Sequence, residues 1–126
     1  MNGLEPVRTV DFAAAKARAK DERYQQELIG ASSGSQTCMV TYIVTPAGGG
    51  SPAGLHVHDV DQHFYIVSGT MHIEIGGNQQ AAPAGSFIVF PAGVPHKNWN
   101  DGPEETVHLA INTPAPDPDK PLARSV

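Results

Sequence analysis

The 126-residue chain has a single cysteine, Cys38, so no intramolecular disulfide can brace it. Basic residues are scarce: eight Lys and Arg stand against thirteen Asp and Glu, a formal charge of −5. A nucleic-acid partner is excluded on that ground, because neutralising phosphates needs clustered cations. No apolar run approaches the ~18 residues of a membrane span. The N-terminus carries no charged-then-apolar leader pattern, so the expectation is a cytoplasmic protein without a membrane partner. Also missing are a Ser-His-Asp spacing, a phosphate-cradling glycine loop and a cysteine pair for zinc. Leu, Ile, Val and Phe number only 27, of which 19 lie between Thr37 and Asn112. The middle of the chain must supply the core.

Thirteen glycines and eleven prolines favour a turn-rich β protein over a helical one. Three regions follow. Residues 1–36 form an N-terminal extension in which Asp11 to Leu28 reads as a short surface helix, with Asp11 as N-cap and Gly30 as stop, or as a segment that orders only against the barrel or a neighbouring subunit. Its Phe12, Tyr24 and Leu28 are too sparse for a deep core face. Residues 37–113 switch to a period of two, with strands over Thr37–Thr45, Gln62–Ser68, Thr70–Ile75, Ser86–Phe90 and Val107–Asn112, and a turn at Gly76-Gly77. Residues 114–126 are proline-rich and read as a flexible tail. Short strands between Gly/Pro turns predict an all-β antiparallel barrel or jelly roll with a short N-terminal helix.

Three of the six histidines sit where metal ligands would. His56 and His58, one residue apart, fall on the same side of an extended chain. Gln62 follows at the start of a strand, and His96 arrives after a Pro/Gly turn. Two alternating histidines on a solvent face would give the same pattern, so the wider spacing decides. The chain reads Gly50-x5-His56-x-His58-x3-Gln62-x6-Gly69 and then Gly85-x5-Pro91-x-Gly93-x2-His96-x3-Asn100. This resembles the two signature motifs of the cupin superfamily, G-x5-H-x-H-x3,4-E-x6-G and G-x5-P-x-G-x2-H-x3-N. Nine of the ten specified positions match; the departure is Gln62, where glutamate is usual.

The resemblance implies a cupin-type barrel holding one divalent ion (Mn, Ni, Fe or Zn), with His56, His58 and His96 as ligands and Gln62 in the fourth place. An amide leaves the ion its full charge. At an effective dielectric of ~20, a carboxylate charge ~2 Å away is worth several kcal/mol, so Gln62 tilts the site from O₂ redox chemistry toward Lewis acidity. Uronate-processing cupins and manganese hydroxynitrile lyases share such a glutamine, and both do non-redox chemistry.

Around this set, Phe64 and Ile66 share the face of Gln62 and are expected to line the pocket. Asn98 shares the face of His96 and could hydrogen-bond a substrate. His108 is the candidate general base, ahead of His72. His63, Tyr65 and Trp99 are expected to point the other way, and Cys38 to be a small core residue. The leading expectation is a small-molecule enzyme of the isomerase, hydratase or lyase type acting on a carbonyl- or hydroxyl-bearing substrate. The alternatives are a three-His dioxygenase acting on a diketone, thiol or flavonol, and a non-catalytic ligand-binding cupin. A homodimer is expected, since pairing would cover the exposed sheet of so small a barrel.

Overall fold

The computed structural model describes residues 5–51, 54–117, 119–120 and 122–126. The expectations for residues 1–4 of the extension and for 118 and 121 of the tail lie outside the described residues. One short helix, α1 (Phe12–Arg18), precedes ten strands: β1 (Tyr24–Ile29), β2 (Met39–Thr45), β3 (His56–Val57), β4 (Gln62–Ser68), β5 (Thr70–Ile75), β6 (Asn78–Pro83), β7 (Phe87–Phe90), β8 (His96–Trp99), β9 (Thr106–Asn112) and β10 (Arg124–Ser125). They form two five-stranded antiparallel sheets, ordered β1-β2-β9-β4-β7 and β10-β3-β8-β5-β6. The fold is the all-β jelly-roll barrel that the turn-rich composition anticipates.

Alternation explains what lies between the sheets. Along β4, Gln62, Phe64 and Ile66 turn inward while His63, Tyr65 and Val67 turn out. The inward set meets Ile43 of β2, Met71 and Ile73 of β5, Phe90 of β7 and Ala110 of β9 in one cluster. Gly69 joins β4 to β5 at φ +79°, and a Cβ there would stand 2.7 Å from the Glu105 carbonyl oxygen, so both conformation and space demand glycine.

The helix is shorter than the sequence suggests. Asp11 caps it as expected, its Oδ1 accepting from the Ala14 amide at 3.0 Å, but the helix ends at Arg18. Residues Tyr24–Ile29, read as helix as far as Leu28 from their Gln and Glu content, instead pair with β2 from Tyr24–Val44 to Ile29–Val40. Edge pairing on a formed sheet outweighs a propensity difference of a few tenths of a kcal/mol per residue, about what separates these side chains in a helix. α1 then packs Ala15 and Ala19 on Val44, Val107, Tyr24 and Tyr42 in a second cluster. The tail also returns to the fold: Arg124 and Ser125 pair with Val57 and His56, and Arg124 meets Asp59 at 2.6 Å. Cys38 lies just before β2 and is half-buried rather than in the core.

Candidate metal centre

The two motif segments converge because strands β3 and β8 are neighbours, with His56 directly opposite His96. His58 follows β3 by one residue. The loop from β7 to β8 is tied to this segment by Gly93 N–H donating to the His58 carbonyl at 2.9 Å and by Ala92 N–H donating to Asp61 Oδ1 at 2.8 Å. Gly50 closes the other side by bridging to Trp99; a Cβ on it would lie 2.8 Å from the Asn98 carbonyl oxygen. Asn100 locks the segment after β8, its Nδ2 donating to the carbonyls of Thr45 and Glu104 at 3.2 and 2.7 Å. The motif glycines and asparagine are thus the frame, and the histidines are what the frame presents.

The three imidazoles are buried, and one potential ligand atom from each lies within 4.8 Å of the others. Every ring is oriented through Nδ1 by a backbone carbonyl: His56 by Gly54 at 2.5 Å, His58 by Leu122 at 2.7 Å and His96 by Val94 at 3.0 Å. A carbonyl only accepts, so each Nδ1 carries the proton and each Nε2 keeps a free lone pair. Nε2 of His58 and of His96 is buried with no partner among the described residues. Burial is the main force lowering the pKa of both rings, with the adjacent histidines adding to it; His96 falls to about 4. Neutral imidazoles with aligned, unused lone pairs fit a divalent metal ion.

Gln62 is buried and opens β4 opposite Asn112 on one side and Phe90 on the other. It lines a cavity of about 360 Å³ together with His56, His58, Phe64 and Asn98. Phe90 packs on His96 with ring centroids 4.5 Å apart, and Phe64 packs on Phe90 at 4.6 Å, so aromatic surface backs the ligand cluster.

Two expected pocket residues lie elsewhere. Ile66 is fully buried in the inter-sheet cluster and does not line the cavity. His108 also lies outside the cavity wall, its ring against Phe64 with centroids 4.2 Å apart. Burial holds His108 neutral, its pKa pushed down to about 3, and Arg23 adds to the effect. His72 faces outward and stacks on Trp99. Conversely, Asn112 is a cavity residue the sequence reading passed over; both atoms of its buried amide lack partners among the described residues. Its alternation with Ala110 and His108 on β9 was the available signal. Arg23, immediately before the strand read as helix, also lines the cavity.

The Cupin domain family matches residues 42–112, more than half of the chain. The chain belongs to the cupin family. Its fold is shared by the polyketide cyclase RemF of Streptomyces resistomycificus, with 21% identity, a TM-score of 0.71, and 83% of this cupin and 71% of that chain covered. KdgF of a Halomonas species aligns at 19% identity and a TM-score of 0.66 over 75% of this cupin and 81% of that chain. The conserved SPY1581 protein of unknown function from Streptococcus pyogenes aligns at 22% identity and a TM-score of 0.68, covering 93% of this cupin and 96% of that chain. No curated protein matches the cupin in sequence. Among the described residues, no helix is long and apolar enough to cross a membrane.

Proposed function

We propose that this cupin is a metal-dependent enzyme that performs Lewis-acid chemistry, an isomerisation, hydration or lyase step, on a small carbonyl- or hydroxyl-bearing molecule. The observation that carries the reading is the convergence of three Nδ1-protonated histidines, with Nε2 of His58 and His96 buried and unpartnered among the described residues. A divalent ion held there supplies Lewis acidity, polarising a substrate oxygen and stabilising negative charge that develops on it. Gln62 adds a neutral carbonyl oxygen to three neutral imidazoles, so the donor set carries no charge to offset the ion. Phe64 and Phe90 exclude water from one side of the cluster. The Asn98 side chain, on the cavity wall beside Gln62, is placed to hydrogen-bond a substrate oxygen and orient it.

The first experiment is metal content by plasma mass spectrometry, beside a His56→Ala/His96→Ala double variant. Near-stoichiometric Mn, Ni, Fe or Zn in the wild type and its loss in the variant are expected. Turnover of hydroxy- and oxo-acids should then proceed under nitrogen and fall in Gln62→Glu. Oxygen uptake by the Fe²⁺-loaded protein, with no anaerobic turnover and a gain in Gln62→Glu, would replace the reading with a dioxygenase. Metal that neither reconstitutes nor responds to the double variant would leave a ligand-binding barrel.

A further inference from the structure

Arg23 immediately precedes β1. The register of that strand sets Gln25 opposite Ile43 and Glu27 opposite Thr41. Arg23, Gln25 and Glu27 therefore share a face, and all three line the cavity that holds His56, His58 and Gln62. The guanidinium makes one side-chain hydrogen bond among the described residues, from Nη1 to Gln25 Oε1. Its Nε is buried with no partner, and the ion pairs of the described residues are Arg8–Glu5, Arg18–Glu22 and Arg124–Asp59, none of them on Arg23.

The carboxylate on the cavity wall is Glu27, and it is turned aside. Its Cδ lies 2.7 Å from where a Cβ of Gly30 would stand. Arg23 is thus a half-buried cation without a counter-charge, an arrangement that costs free energy unless something supplies the anion. Burial lowers the guanidinium pKa, but the group stays protonated at physiological pH. Its unused donors form a planar fork that fits the two oxygens of a carboxylate.

We propose that Arg23 is the anion-binding residue of the cavity and that the ligand of this cupin is a small carboxylate. A single guanidinium balances one carboxylate group; a phosphate ester would bring nearly two charges to that one point, and among the described residues the cavity wall offers no second Lys or Arg. The proposal names the substrate class for the function above, and rests on that reading only in placing a second oxygen of the ligand at the histidines. A cavity of about 360 Å³ is at the small end of the range for ligand sites, which suits a compact acid.

The test follows the Arg Nε–H resonances of the full ¹⁵N-labelled chain, first metal-free and then loaded with Zn²⁺. The chain has four arginines, and Arg23→Met identifies the resonance of interest. Succinate, its neutral analogue succinamide, and inorganic phosphate are titrated in turn. The expected result is a saturable movement of the Arg23 signal with succinate and none with succinamide. Arg23→Met should bind succinate about tenfold more weakly or worse, the loss of a charge-assisted pair. Arg23→Lys, which keeps the charge but not the fork, should fall between the two. An unmoved Arg23 signal, equal affinity in wild type and Arg23→Met, or an equal response to succinamide would overturn the assignment. Tighter binding of phosphate than of succinate would overturn the carboxylate class. Should Arg23→Met fail to fold, the wild-type titration and Arg23→Lys still decide. The metal-free arm separates the two readings, because carboxylate binding at Arg23 can succeed where metal chemistry fails, and the reverse.

Discussion

His108 offers a measurement of how dry the barrel interior is. The ring is fully buried, neither nitrogen has a partner among the described residues, and its pKa falls from 6.5 to about 3, through burial first and Arg23 second. Above pH 6.5 the residue is neutral in both folded and unfolded chains, and its favourable contribution to acid stability is complete. As pH falls below 6.5 the unfolded chain takes up a proton that the folded chain refuses until about pH 3. Stability is therefore lost with falling pH across that window. One pH unit is worth about 1.4 kcal/mol, so His108 alone withdraws about 2 kcal/mol between pH 7.5 and 5 and about 4 kcal/mol by pH 3. The perturbation is His108→Leu in metal-free protein, with urea unfolding followed by the fluorescence of the single tryptophan, Trp99. His58 and His96 contribute slope to both proteins. The variant should lose one proton's worth of the pH dependence between 6 and 4, and at pH 7.5 it should be equal in stability to the wild type or more stable by about 1–3 kcal/mol, since two unpartnered nitrogens are removed. Parallel pH profiles for the two proteins would refute the reasoning and mean that water reaches the ring.

Three further outcomes follow from the fold. Gly69→Ala forces a side chain into φ +79° and against the Glu105 carbonyl; a loss of about 2 kcal/mol or more should show as a lower melting temperature with metal affinity retained. Removing Leu122–Val126 deletes the carbonyl that orients His58 and the strand paired to His56, and should weaken Zn²⁺ binding about 10- to 100-fold in a chelator competition. Phe87 and Val89 stand 78% and 58% exposed on the edge strand β7; if a second copy of the chain covers them, as the size of the barrel leads one to expect, light scattering should find a dimer that Phe87→Glu converts to monomer.

Strands β4 and β5 were the easiest to read. Gln62–Ser68 and Thr70–Ile75 appear at the bounds their alternation suggested, because each has one face in the core and one outside. Strand β6, Asn78–Pro83, escaped notice because its one buried residue, Ala82, leaves no apolar alternation to see. Strand β1 was misread because Gln and Glu favour helices in isolation, and only its partner β2 shows that it belongs to the sheet. The metal ligands were legible as a motif, since chain-local turns place them. Arg23 and Asn112 were not, because they reach the cavity through pairings between segments far apart in sequence. His108 was read to the correct interior but not to the correct depth: a period of two says which side a residue takes, and says nothing about which ring stands in front of it.

The candidate ligands do not all come from one layer of the barrel. His56 and His96 belong to the sheet β10-β3-β8-β5-β6, whereas Gln62 opens a strand of the opposing sheet. An ion gripped by all of them is a rivet through both layers. Prising the sheets apart strips it of a ligand, so its binding energy is felt as resistance to delamination, and its exchange with solvent is governed by how often the sandwich gapes. Were the candidate site loaded as proposed, one ion would both supply the Lewis acidity and tie the two layers together, and its removal would lower the protein's durability along with the proposed chemistry.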